Sequence, residues 1–236
     1  MDCTIDVWLI DLTGAAATAP DMTLLSPAEW TRLRSFISPA AAHEFASTRM
    51  ALRQILGQRL GMAPARIALS AQGGKPFIDG TPRCCFNVTH AGGLAAIAIH
   101  DAIQVGIDLE HRSSFECADV LSDTLCSPLE RAWWQANAGS MPPVDVLARL
   151  WTGKEAALKA IGQGFAIPPH EVDLSPTIAE GSGRVVLPAS FALEPGLALL
   201  WQALALPAGW HGAVTALVPP DCARLVARYR TFAPVT

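Results

Sequence analysis

The sequence is poor in charge. Only 16% of its 236 residues are Asp, Glu, Lys or Arg, against 51% hydrophobic. That balance excludes a disordered chain, which needs the opposite proportions. The net charge of −4 comes without basic stripes, which argues against a broad nucleic-acid-binding face and leaves room only for a local basic pocket. No apolar stretch reaches the ~20 residues of a membrane span. The most apolar segment, residues 193–206, is broken by Glu194, Pro195 and Gln202, and Asp2, Asp6 and Asp11 interrupt any apolar leader. The six cysteines (Cys3, Cys84, Cys85, Cys117, Cys126 and Cys222) include no Cys-x-x-Cys pair and find no histidine at zinc-finger spacing. They read as thiols of a reducing compartment. The expectation is a cytoplasmic protein with neither membrane nor nucleic acid as a partner.

What is present is regular. Residues 5–12 alternate as a first strand. Ser26-Pro27-Ala28-Glu29 has the form of a capped helix start, and Ser38-Pro39 begins another. From there Phe45, Arg49, Leu52, Arg53, Leu56 and Leu60 recur at helical spacing up to Gly61. Gln72-Gly73-Gly74-Lys75-Pro76 reads as a turn. Residues 85–90 and 94–100 read as two strands joined at Ala91-Gly92-Gly93, and residues 105–110 as a third. The order then repeats. Ser127-Pro128-Leu129-Glu130 starts a helix, residues 144–161 form a long one ended by Gly162, and strands are expected at 172–174, 184–187, 198–204 and 213–218. The spacing predicts an α+β chain of two similar halves, 1–104 and 105–236, each with a small sheet packed on helices.

Chemistry concentrates in two segments. In Val105-Gly106-Ile107-Asp108-Leu109-Glu110, the alternation of a strand puts Asp108 and Glu110 on one face, with Cα atoms roughly 6.5–7 Å apart, and turns Ile107 and Leu109 into the core. Trp151-Thr152-Gly153-Lys154-Glu155 follows, and Glu155 and Lys159 share a helix face. Three carboxylates with lysines suit a hard divalent cation and a phosphate. Taken singly, each piece is explained better by an acidic strand face or a surface ion pair. Asn87, Thr89 and His90 end a strand at a glycine turn, where polar side chains suit phosphate contacts. Arg49 and Arg53 share a helix face, and the arginine fork grips phosphate. Lys75 presents an ammonium, although Gly73-Gly74-Lys75 lacks the spacing of a P-loop.

Read in order, five motifs resemble one family. They are Gly74-Lys75-Pro76, Phe86-Asn87-Val88-Thr89-His90, the strand 105–110, Trp151-Thr152-Gly153-Lys154-Glu155-Ala156-Ala157-Leu158-Lys159-Ala160, and Gly162-Gln163-Gly164. From about residue 36 to 165 the chain is similar to the 4′-phosphopantetheinyl transferases of the long, surfactin-synthetase-activator type. The resemblance implies a pseudo-dimer with its active site between the halves. It implies a monomeric holo-carrier-protein synthase that moves phosphopantetheine from coenzyme A to a serine of an apo acyl or peptidyl carrier protein, releasing adenosine 3′,5′-bisphosphate. By motif position, Asp108, Glu110 and Glu155 would hold magnesium, with manganese as the alternative ion. Glu155 would be the base, and Lys159, Asp108 and His90 would complete the catalytic set. Arg49, Arg53, Lys75, Pro76, Asn87, Thr89, His90, Lys154 and Lys159 would bind the coenzyme.

The sequence departs from the family in two places. Thr89 stands where many relatives have Ser, and Pro39-Ala40-Ala41-Ala42-His43-Glu44 lacks the basic residues many relatives carry there. The runner-up readings are a metal-dependent phosphodiesterase or nuclease and a non-catalytic module that binds coenzyme A or carrier proteins. Apolar residues between Phe115 and Leu129 are a candidate carrier-docking patch.

Overall fold

The computed structural model describes residues 1–13, 21–72, 75–78, 84–116, 118–162 and 167–232. Its plan is four layers, helix on sheet on sheet on helix. The first sheet runs β10-β1-β5-β4 and the second β6-β9-β8-β7. The strands are β1 (Asp2–Asp11), β4 (Cys85–Ala91), β5 (Leu94–His100), β6 (Val105–His111), β7 (Ser182–Arg184), β8 (Ala198–Ala203), β9 (Trp210–Val218) and β10 (Arg224–Arg230). A separate two-stranded hairpin pairs β2 (Leu69–Gln72) with β3 (Lys75–Ile78).

Alternation along the strands builds the layers. Ile5 and Val7 of β1 and Ala96 and Ala98 of β5 meet Val105, Ile107 and Leu109 of β6 and Val214 and Ala216 of β9 between the two sheets. The other faces of β1 and β5, with Ile10, Leu12, Ile97 and Ile99, lie under α2 (Pro39–Leu60) through Leu52, Ile55 and Leu56. The outer face of the second sheet, with Leu199, Trp201 and Ala213, takes α5 (Pro143–Ile161) through Leu147, Ala148, Leu150, Ala157 and Leu158. The remaining helices are α1 (Pro27–Arg34), α3 (Ala118–Leu125) and α4 (Pro128–Ala136). As their sequences predict, α1 and α4 start on capping boxes at Ser26/Glu29 and Ser127/Glu130, while α2 and α5 stop at Gly61 and Gly162 in the left-handed conformation.

Four local expectations change. Lys75 and Pro76 lie in strand β3 rather than in a turn; Gly73 and Gly74 fall outside the described residues. Residues 172–174 make only the single bridge Asp173–Val186, because the next backbone donor along the chain is taken by a side chain. Asp173 accepts from Ser127 and Ser175, and the Leu174 N–H is taken by Glu130. Strand β7 stops at Arg184, short of the expected 187. Finally, β10 crosses back from the second half to pair in parallel with β1. Among the described residues no helix is long and apolar enough to cross a membrane.

Candidate functional site

The site begins with a missing side chain. The even-numbered residues of β6 face α5, and a Cβ built on Gly106 would sit 1.9 Å from the Ala156 carbonyl oxygen. Glycine there lets the helix lie directly on the strand. Asp108 and Glu110 consequently look toward Glu155 and Lys159. The Lys159 ammonium donates to Asp108 Oδ1 at 2.7 Å, and the Thr89 hydroxyl of β4 donates to the same oxygen at 3.1 Å. Glu110 accepts from the Ser114 hydroxyl at 3.2 Å.

All three carboxyls have raised pKa values. For Asp108 the cause is burial, opposed by Lys159 and the Thr89 hydrogen bond. For Glu110 it is burial and then the charge of Asp108. For Glu155 it is burial, opposed by Lys159 and reinforced by Asp108 and Glu110. With all three ionised, the acids would carry more negative charge than Lys159 neutralises, and burial works against that state.

The opposite wall comes from the first half. Edge strand β4 faces edge strand β6, and Asn87 Oδ1 accepts the Ile107 N–H at 2.9 Å across the seam. Asn87 thus joins the two sheets. His90 Nδ1 lies 3.4 Å from Glu44 Oε2, and the other oxygen of Glu44 accepts the Gly93 N–H at 2.7 Å. Burial lowers the His90 pKa against the pull of Glu44. Arg49 lies over the Phe45 ring at 5.3 Å, 3.8 Å from Glu29, with buried Nη1 lacking a partner among the described residues. Thr89, His90, Arg49, Asp108, Glu110, Glu155 and Lys159 are therefore brought together.

Two expected ligand residues are structural instead. Arg53 is 2% exposed and donates to Glu29 at 2.7 Å and to the Ile67 carbonyl; its fork is turned into the core between α1 and α2. Lys154 is fully buried, and its ammonium donates to Glu130, Leu125 O and Pro169 O at 2.6, 2.7 and 3.0 Å. It sits one residue from Glu155, and the step of about 100° per helical residue turns it onto a different face. Pro76 is buried in β3. The Lys75 ammonium donates to Lys159 O at 2.8 Å, Val105 O at 3.1 Å and Gln104 Oε1 at 3.3 Å, and burial lowers its pKa to about 8. Gln163 and Gly164 lie outside the described residues.

Sequence reading missed Glu44, Gln104 and the pair of His211 with Asp145, at 2.9 Å. No local pattern marks them, since each partner is distant in sequence. In the expected docking patch Phe115, Leu125 and Cys126 are core residues; Leu129 is the exposed large apolar side chain among those described.

The donor set fits a hard cation. Among the described residues, Asp108 Oδ2 and Glu155 Oε1 are buried carboxylate oxygens with no hydrogen-bond partner, which carries a cost that a metal ion would offset. The acids do not close on one point: among the described residues no three His, Cys, Asp or Glu side chains converge. Lys159 holds one of them, Asp108.

Comparison with known proteins gives a consistent answer. A family model described as the 4′-phosphopantetheinyl transferase superfamily matches residues 104–194. The 4′-phosphopantetheinyl transferase HetI of a Nostoc species is 31% identical over 179 residues, covering 73% of this chain and 75% of that protein. The 4′-phosphopantetheinyl transferase Svp of Streptomyces mobaraensis is 28% identical over 217 residues, 83% and 85% of the two chains. A 4′-phosphopantetheinyl transferase of Bacillus subtilis is 28% identical over 148 residues, 62% and 64%.

Proposed function

The chain belongs to the 4′-phosphopantetheinyl transferase superfamily, and from that premise we propose how its cleft works. The enzyme transfers 4′-phosphopantetheine from coenzyme A to a serine hydroxyl of an apo acyl or peptidyl carrier protein. The serine oxygen forms a bond to the phosphorus next to pantetheine. The anhydride bond on that phosphorus breaks, and adenosine 3′,5′-bisphosphate leaves with the electron pair. The observation that carries this reading is the meeting of Asp108, Glu110, Glu155 and Lys159 from β6 and α5 with Thr89 of β4.

Division of labour follows the halves. Residues 1–104 supply the coenzyme's phosphate contacts through Arg49, Thr89 and His90. Residues 105–236 supply the acids and Lys159, in a pseudo-dimeric arrangement completed within one chain. Asp108, Glu110 and Glu155 would hold magnesium, or manganese in its place. When bound, the ion neutralises pyrophosphate charge, the main requirement of phosphoryl transfer. Glu155 takes the serine proton, directly or through a water. Lys159 steadies the charge that develops on the leaving group.

The test is mass spectrometry of a panel of apo carrier proteins incubated with the enzyme, coenzyme A and magnesium. A phosphopantetheine mass shift on a carrier serine is expected. Tight coenzyme binding with no shift on any carrier would support a binding module instead, and magnesium-dependent cleavage of DNA or RNA would support a nuclease.

A further inference from the structure

Among the described cations of the cleft, Lys75 stands apart, because backbone carbonyls take its ammonium. Helix α5 ends at Ile161, and the carbonyls of its last turn have no partner within the helix. Leu158 O accepts the Gly162 N–H at 3.1 Å. Lys159 O accepts from Lys75, which reaches in from hairpin strand β3 at 2.8 Å. The same ammonium donates to Val105 O, the first carbonyl of β6, at 3.1 Å. Gln104 takes a longer contact at 3.3 Å and donates onward to Cys85 Sγ of β4 at 3.5 Å. One cation therefore ties the last turn of the helix that carries Glu155 and Lys159 to the start of the strand that carries Asp108 and Glu110. A positive charge at a helix C-terminus is also favourable in its own right.

We propose that Lys75 is a positioning residue: it clamps the C-terminal turn of α5 to the start of β6 and so sets Lys159 against Asp108. This role rests on the proposed transferase reaction for its kinetic consequence only, since the clamp forms within the protein alone. It differs from a phosphate-gripping role in what its loss would do. A phosphate ligand binds ground state and transition state alike, so its removal raises KM. A clamp fixes the geometry of the reacting groups, so its removal lowers kcat.

Two measurements on Lys75→Met and Lys75→Arg separate these roles. The first is amide hydrogen exchange without coenzyme A, comparing the last turn of α5 with α2 in the same sample. In Lys75→Met, exchange is expected to rise at the end of α5 and not in α2, and Lys75→Arg is expected to restore part of the protection. Unchanged exchange, or an equal rise in both helices from general destabilisation, would overturn the clamp. The second is steady-state transfer to an apo carrier. Lys75→Met is expected to lose about tenfold or more in kcat, with KM for coenzyme A changed less than about threefold and partial rescue by Lys75→Arg. A raised KM with kcat intact would overturn the positioning role. A wild-type protein with no transferase activity would sink the functional reading instead, and the exchange result would still decide the clamp.

Discussion

Lys159 and Asp108 meet at 2.7 Å across the contact of α5 with β6. They are 51 residues apart in sequence and belong to different elements. The pairing leaves Glu155, one turn back on the same helix, with a buried carboxylate oxygen that no described residue satisfies. The lysine neutralises one acid and leaves the other exposed to the pull of an incoming proton.

Glu155→Gln is expected to remove that acceptor at nearly constant shape. Transfer should fall about 10²–10⁴-fold, the usual worth of a positioned acid–base group. Melting temperature and circular dichroism should match the wild type. Activity within a few-fold of wild type would take Glu155 out of the catalytic role.

Gly106→Ala tests how closely helix and strand must approach. The new methyl would meet the Ala156 carbonyl, which is backbone and cannot swing aside. Either α5 or β6 must move, at a cost of roughly 1–3 kcal/mol. Urea denaturation should show that loss, together with a lower kcat, because the shift passes through the acid set. Unaltered stability would show that the contact is looser than the backbone positions indicate.

For Lys154→Met the expectation is a large loss of stability without a coenzyme phenotype. Removing the ammonium leaves Glu130 buried with no cation, and breaking such a pair costs about 3–5 kcal/mol. The double variant Lys154→Met/Glu130→Gln should recover part of this. At a temperature where the variant is folded, KM for coenzyme A should equal that of wild type. A raised KM would return Lys154 to the coenzyme site.

A pH dependence of stability is expected from Asp6. Burial would raise its pKa, but hydrogen bonds from Arg228, Arg230 and Arg59 outweigh that and hold it well below the usual carboxylate range. A folded pKa below the unfolded one stabilises above the unfolded value, near 4, and the gain fades as pH falls toward the folded value. Wild type should therefore melt well above Asp6→Asn at neutral pH, and the gap should narrow steadily as pH falls below about 4. A gap that stays constant with pH would mean the arginines are held by something other than the carboxylate charge.

Legibility in the sequence followed range. The helix starts at Ser26 and Ser127, the stops at Gly61 and Gly162, and the two faces of β6 are set by neighbours within four residues, and each could be read directly. Asp108, Glu110, Glu155 and Lys159 came into view through strand and helix periodicity and gained weight from the family resemblance. Lys154 and Arg53 misled because a lysine or arginine beside a reactive group looks the same whether it turns outward or inward. Their partners, Glu130 and Glu29, were visible only as helix caps. The bond from Lys75 to α5 spans 84 residues, and the pairing of β1 with β10 joins the two ends of the fold. Nothing local encodes either one. Strand β10 does alternate, with Arg224, Arg228 and Arg230 on one face and Leu225 and Ala227 on the other, but that pattern does not say which strand it will pair with.

That last pairing imposes an order on folding. During synthesis β1, β4 and β5 are available early, yet β1 must wait with one side of its backbone unpaired until residues 224–230 have been made. The layer between the sheets also waits, since Leu225 closes it from β10. Contacts this distant in sequence form slowly, and an open strand edge is a template for association with other chains. A protein shortened before Arg224 would keep every residue of its acid set and still be left with β1 as a bare edge.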